Sequence, residues 1–139
     1  DSKFEIISHM RRRVQLSYRC DSVIIGAIAS GDYNVVVFLV SVEPAVIQRL
    51  DAKDLYYCAD RPRILRFLIE AGANYRATPN PILTRAIISM NFESVTYLSS
   101  IGMTAADIDC NISENMTARD LQAMIGFIEE LTKRRIGHE

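Results

Sequence analysis

Arg63-Ile-Leu-Arg-Phe-Leu-Ile-Glu-Ala-Gly-Ala-Asn74 is the stretch from which the fold is read. Leu65, Leu68 and Ile69 recur at the i, i+3, i+4 spacing that puts three apolar side chains on one helix face. Gly72 follows, where a left-handed residue costs little and a helix can stop. Pro62 stands just ahead, with a fixed φ that suits a first helical position. The segment therefore predicts a short amphipathic helix with a defined start and end. Val36, Leu39 and Val40 repeat the stripe upstream, and Val95 and Leu98 repeat it downstream before Gly102. Val36, Leu65 and Val95 recur with a regular period, and Leu39, Leu68 and Leu98 keep the same one.

Each of these helices is preceded by a second, shorter apolar segment. These are Ile24 to Ser30, Leu55 to Cys58, and Leu83 to Ser89. Ala27 and Ala86, two periods apart, put a small side chain where two helices must approach closely. Gly31 ends the first of these segments, whereas Met90 occupies the corresponding place in the third. That turn is expected either to be built differently or to carry strain. A period of roughly 30 residues is too long for a heptad and matches a helix–turn–helix unit that cannot bury its apolar side alone. The chain thus reads as all-α, a solenoid of about three such units.

The ends read as caps. Ser2-Lys-Phe-Glu5 is a capping box, and Phe4, Ile7, Met10 and Val14 give the first helix an apolar face. Thr117-Ala-Arg-Asp120 opens a last helix with Leu121, Met124, Ile125, Ile128 and Leu131 on one side and Glu129, Glu130, Lys133 and Arg134 on the other. The expected organisation is one domain: a cap helix over 1–20, repeats over 21–104, and a second cap over 105–139. A start at Asp1 is expected of a piece of a longer protein.

Composition narrows the function. Hydrophobic residues make up 49% and charged residues 24%, which suits a packed domain, and the longest apolar runs are far too short to span a bilayer. Successive blocks 1–20, 21–48, 49–85, 86–130 and 131–139 carry +3, −3, +3, −6 and +2. No sustained basic face exists for nucleic acid, and alternating blocks suit a protein partner. Arg11 to Arg13 fan around a helix as a solvated face. Cys20, Cys58 and Cys110, widely spaced and odd in number, are expected as small buried residues in a reducing cytosol. His9 and His138 offer no catalytic dyad, and no cluster has metal-ligand spacing. Asp107 and Asp109 near Glu114 lack a cation-loop spacing, and helix capping explains Asp107. No cofactor and no catalysis within this piece are expected.

Phe67-Leu-Ile-Glu-Ala-Gly-Ala-Asn74 and Ser30-Gly-Asp-Tyr-Asn-Val-Val36 resemble the second helix and the inter-helix turn of the ankyrin repeat. The family's Thr-Pro-Leu-His opening is absent, and the middle unit is compressed between Cys58 and Arg63. The likeness covers about residues 22–104. It implies binding through inter-repeat loop tips, here Asp51 to Asp54 and Asn74 to Asn80. It also implies contacts from exposed first-helix positions, here Ser30, Tyr56, Tyr57, Arg85, Ser89 and Met90. Tyr and Arg favour interface hot spots, and the +3 block is rich in both. The candidate partner-binding set is Tyr56, Tyr57, Arg61, Arg63, Tyr75, Arg76, Asn80, Arg85 and Ser89, facing an acidic protein surface. One of Tyr56 and Tyr57 is expected in the core.

The long caps and irregular repeats also resemble the C-terminal ankyrin domain of the OspC family of bacterial type III effectors. Members of that family modify host caspases with an ADP-ribose-derived group. The resemblance implies a caspase-selecting piece acting in the host cytosol, with catalysis by a NAD-dependent domain elsewhere. Two alternatives stay open: a viral host-range ankyrin protein, and part of an enzyme whose site needs a missing domain.

Overall fold

The computed structural model describes residues 13–137, and side chains over 21–134. The Ser2–Glu5 capping box, the Phe4, Ile7 and Met10 stripe, His9, Arg11, Arg12 and His138 lie outside the described residues. Among the described residues the chain is all-α, with no strand. Helix α1 is Arg13–Ser30 and α2 is Tyr33–Val42. A 3-10 segment, Pro44–Arg49, leads to the single-turn α3, Ala52–Leu55, which continues as a 3-10 turn over Tyr56–Cys58. Then come α4 (Pro62–Glu70), α5 (Pro81–Ile88) and α6 (Phe92–Ser100). Two 3-10 turns, Ala105–Asp107 and Cys110–Glu114, precede α7, Ala118–Gly137. No turn separates residues 20 and 21, so the first helix does not divide where the cap was expected to end.

The elements pack as helix pairs set side by side. Helix α1 packs on α2, and α5 on α6. One row runs α1, the α3–Cys58 segment, α5; the other runs α2, α4, α6, α7, each member touching the next. Capping residues mark the repeat. Asp51, Asn80 and Asp109 follow one another at equal spacing, one period each. Their side chains accept the N–H of the residue two further on: Lys53 at 3.0 Å, Ile82 at 3.0 Å and Asn111 at 2.9 Å. In the second row Asp32, Asn91 and Thr117 accept the N–H three further on, from Val35 (3.3 Å), Ser94 (3.0 Å) and Asp120 (3.1 Å). Arg61 holds that place in the middle unit with no side-chain cap; Pro62 at the first position already removes one orphan donor. The series continues into 105–139, so the segment expected as a plain cap begins with the same pair of capped elements.

The turn at Met90 is the same turn as at Gly31. Asp32 N–H donates to the Ala27 carbonyl and Asn91 N–H to the Ala86 carbonyl, both at 3.0 Å. Gly31 has φ +79° and Met90 has φ +55°. Met90 therefore carries the left-handed backbone that glycine adopts freely, and its half-buried side chain packs on the core. Ala27 and Ala86 are buried about one turn back, where the chain folds over them. Gly72 and Gly102, at φ +110° and +111°, end α4 and α6. In each case the next N–H, of Ala73 or Met103, reaches back to Leu68 or Leu98.

The core lies between the rows. Ile28, Val36, Leu55, Leu65, Leu68, Leu83, Ile87, Val95 and Leu98 have essentially no exposure, while Leu39 and Val40 are only half-buried. Each fully buried Leu or Ile contributes roughly 1.5–3 kcal/mol. Met124 and Ile128 close the far end from α7, flanked by half-buried Leu121, Ile125 and Leu131. Cys58 is buried as expected, but Cys110 is exposed, because its 3-10 turn presents that side outward. Cys20's side chain lies outside the described residues.

Candidate recognition surface

Tyr56, Tyr57, Arg85 and Ser89 sit together on the first row. The rings of Tyr56 and Tyr57 meet edge-on with centroids 5.6 Å apart. Neither is core: Tyr56 is half-buried and Tyr57 is 47% exposed, because the one-turn α3 is too short to tuck either ring under a neighbour. Arg85 lies over Tyr56, its Cζ 5.1 Å from the ring centre, and its Nη1 donates to the Tyr56 hydroxyl at 3.1 Å. Ser89, one turn beyond Arg85, is exposed, and its N–H donates to the Arg85 carbonyl. A small cleft of about 170 Å³ opens beside them between Tyr56, Pro79, Pro81, Thr84 and Asp109.

Arg61 and Arg63 are placed elsewhere, at the start of α4. Arg61 lies against Gly31, where an added Cβ would collide with its guanidinium. Arg63 lies over the Tyr33 ring at 3.7 Å, and Tyr33 in turn meets Phe67 edge-on at 5.9 Å. The loop after α4 carries Tyr75, half-buried, and Arg76, exposed and 5.8 Å from the Tyr75 ring centre.

Asn80 leaves the candidate set. It is 2% exposed, and its side chain is consumed within the fold. Its amide donates to the Tyr75 carbonyl at 2.8 Å while its Oδ1 accepts from Ile82 and Leu83. Its own N–H donates to the Asp107 carbonyl, tying one inter-unit loop to the next.

Tyr33, Arg66 and Tyr97 complete the surface and escaped notice as sites. Arg66 lies 5.6 Å from the Tyr97 ring centre. Burial first, then the Glu70 carboxylate, push the Tyr97 phenol above its ordinary range. The signal was spacing: Tyr33 and Arg63, Tyr56 and Arg85, and Arg66 and Tyr97 each stand close to one period apart. Neighbouring units are thus joined by arginine-on-tyrosine contacts.

Charge pairing separates the arginines. Arg49 pairs with Asp21 at 2.8 Å, Arg66 with Glu70 at 3.0 Å, and Arg134 with Glu130 at 3.7 Å. Among the described residues Arg61, Arg63, Arg76 and Arg85 have no carboxylate partner. Asp107 and Asp109 both serve helix starts: Asp107 closes the capping box of Thr104 by accepting its N–H, and Asp109 caps the next turn by accepting the Asn111 N–H. No group of three or more His, Cys, Asp or Glu among the described residues could hold a metal ion, and none of the described helices is long and apolar enough to cross a membrane. No protein-family model matches the chain, and no curated protein or solved structure matches it.

Proposed function

We propose that the chain is a protein-recognition module of the ankyrin type, a short solenoid that binds an acidic surface of a cytosolic protein. One observation carries this reading. Arg61, Arg63, Arg76 and Arg85 lack an acidic partner among the described residues, and three of them rest on tyrosine rings. A guanidinium held by its face keeps in-plane donors for a carboxylate, and its ordering entropy is spent before the partner arrives. Tyr57 adds an exposed ring edge-on to Tyr56, on which Arg85 rests. The two capped rows and the loops tied through Asn80 supply the rigid scaffold that such a surface needs.

Within this proposal the first-row face and the 74–80 loop contact the partner, and the partner is a host caspase met in the host cytosol. A catalytic domain elsewhere would then transfer the ADP-ribose-derived group, this chain supplying selection. The test is titration of purified host caspases by calorimetry at two salt concentrations. Binding that weakens with salt is expected, and Tyr75→Ala with Arg76→Ala should lower affinity while the helical circular dichroism persists. Full binding by that double variant removes the loop from the site. No binding by any caspase rejects the caspase assignment.

A further inference from the structure

The second row contains an unfilled aromatic position. The first residues of α2, α4 and α6 are Tyr33, Pro62 and Phe92. Tyr33 meets Phe67 of the next helix edge-on, and Phe92 meets Phe127 of the next helix edge-on with centroids 5.1 Å apart. At the junction between them the place belongs to Pro62, whose small ring cannot reach across to Tyr97, the residue one period after Phe67. A groove of about 1100 Å³ opens there, between α4, α6 and the loop at Tyr75. Ile69 and Ile101 give it an apolar lining, with Tyr75 and Tyr97 alongside. Arg66 lies over Tyr97 without filling it, its side chain 65% exposed.

We infer that this groove receives an aromatic side chain from a partner protein, which completes at the α4–α6 junction the ring pair that the fold itself builds at the two flanking junctions. The wall charges define the flanks of that side chain. Arg63, on the α4 wall, has no carboxylate partner among the described residues, whereas Glu70 is taken by Arg66. Glu93, on the α6 wall, is exposed and forms no ion pair among the described residues. The fitting segment therefore carries an acidic residue on the α4 side of the ring and a basic one on the α6 side. This surface belongs to the second row and meets the face proposed above at Arg63 and Tyr75; peptide shifts at Ile69, Tyr97 and Ile101 test the groove, and the caspase titration tests that face separately.

The experiment uses acetyl-Glu-Phe-Lys-amide and acetyl-Glu-Ala-Lys-amide, titrated into the 15N-labelled chain. The phenylalanine peptide is expected to move the amide signals of Ile69, Tyr97 and Ile101, and the alanine peptide to bind about tenfold more weakly. Pro62→Tyr supplies the missing ring in cis, and should raise Tm and abolish the peptide shifts. Ser100→Arg, an exposed change on the groove wall that leaves the core intact, should abolish them too if Pro62→Tyr folds poorly. Equal binding of the two peptides, unmoved groove signals, or full binding by Ser100→Arg would overturn the inference. So would concentration-dependent self-association that vanishes in Phe38→Ala, since the 62% exposed Phe38 would then be the occupant, from a second copy.

Discussion

Arg85 and Tyr56, one period apart in the chain, meet twice: through a hydrogen bond of 3.1 Å and through a guanidinium 5.1 Å from the ring centre. The pair joins two units across the first row, so it both sets their spacing and forms the floor of the proposed binding face. Arg85→Ala and Tyr56→Ala should each destabilise the fold, with a coupling energy of about 0.5–1.5 kcal/mol in a double-mutant cycle. Tyr56→Phe should retain part of that coupling, since the ring face remains. Urea unfolding measures both; strict additivity would show that the contact is incidental.

Asn80 is expected to be the costliest single polar change. Asn80→Ala removes a helix cap, the bond to the Tyr75 carbonyl, and the pairing of two buried N–H groups. A loss of roughly 2–3 kcal/mol follows from the cap and the unsatisfied donors together. Arg76→Ala, on an exposed side chain of the same loop, should stay within about 0.5 kcal/mol.

Gly102→Ala isolates backbone strain. Its added Cβ would meet nothing within 4 Å, yet φ is +111°. A loss of about 1–2 kcal/mol should appear as a lower urea midpoint with an unchanged slope. Met90→Ala should cost less from backbone terms, because Met90 already accepts φ +55° with a side chain in place.

Ser94 is fully buried on α6, and its hydroxyl has no hydrogen-bond partner among the described residues. Ser94→Ala removes an unpaired polar atom and little volume, so stability should rise by about 1 kcal/mol. A fall in the urea midpoint would mean that the hydroxyl is satisfied.

The Cys58 thiol is pushed up to about 12 by burial first and by the Asp60 carboxylate next. In a Cys20→Ser background, iodoacetamide at about pH 8 should label exposed Cys110 quickly and Cys58 only at the rate of unfolding. The raised value means that the folded state holds its proton more tightly than the unfolded chain. The resulting stability is complete below the ordinary thiol range and is lost as pH climbs towards about 12. Alkaline unfolding monitored by circular dichroism should therefore shift to higher pH in Cys58→Ala.

Helical class, period and turn positions were legible in the chain because they rest on local chemistry. Stripes at i, i+3, i+4 need one buried side, glycines at 31, 72 and 102 mark positive φ, and Pro62 and Thr117 mark starts. Even Met90 was legible as an anomaly, though not as a residue that accepts the glycine conformation. The candidate surface was read less well. Tyr and Arg were picked by type, and type does not say that Arg63 would rest on Tyr33 while Arg85 rests on Tyr56. Asn80 was placed at a loop tip by the likeness to the ankyrin repeat; only the packing of two successive loops buries it. The cap at Asp109, which makes the Thr117 helix the second half of a further pair, was hidden because it opens a 3-10 turn with little apolar periodicity. Sequence alone determines what each segment does by itself, since caps, stripes and glycine turns act over a few residues. Which arginine reaches which ring, and where a proline leaves a groove, is decided by the stacking of units a full period apart in the chain, a relation that exists only once the rows are packed.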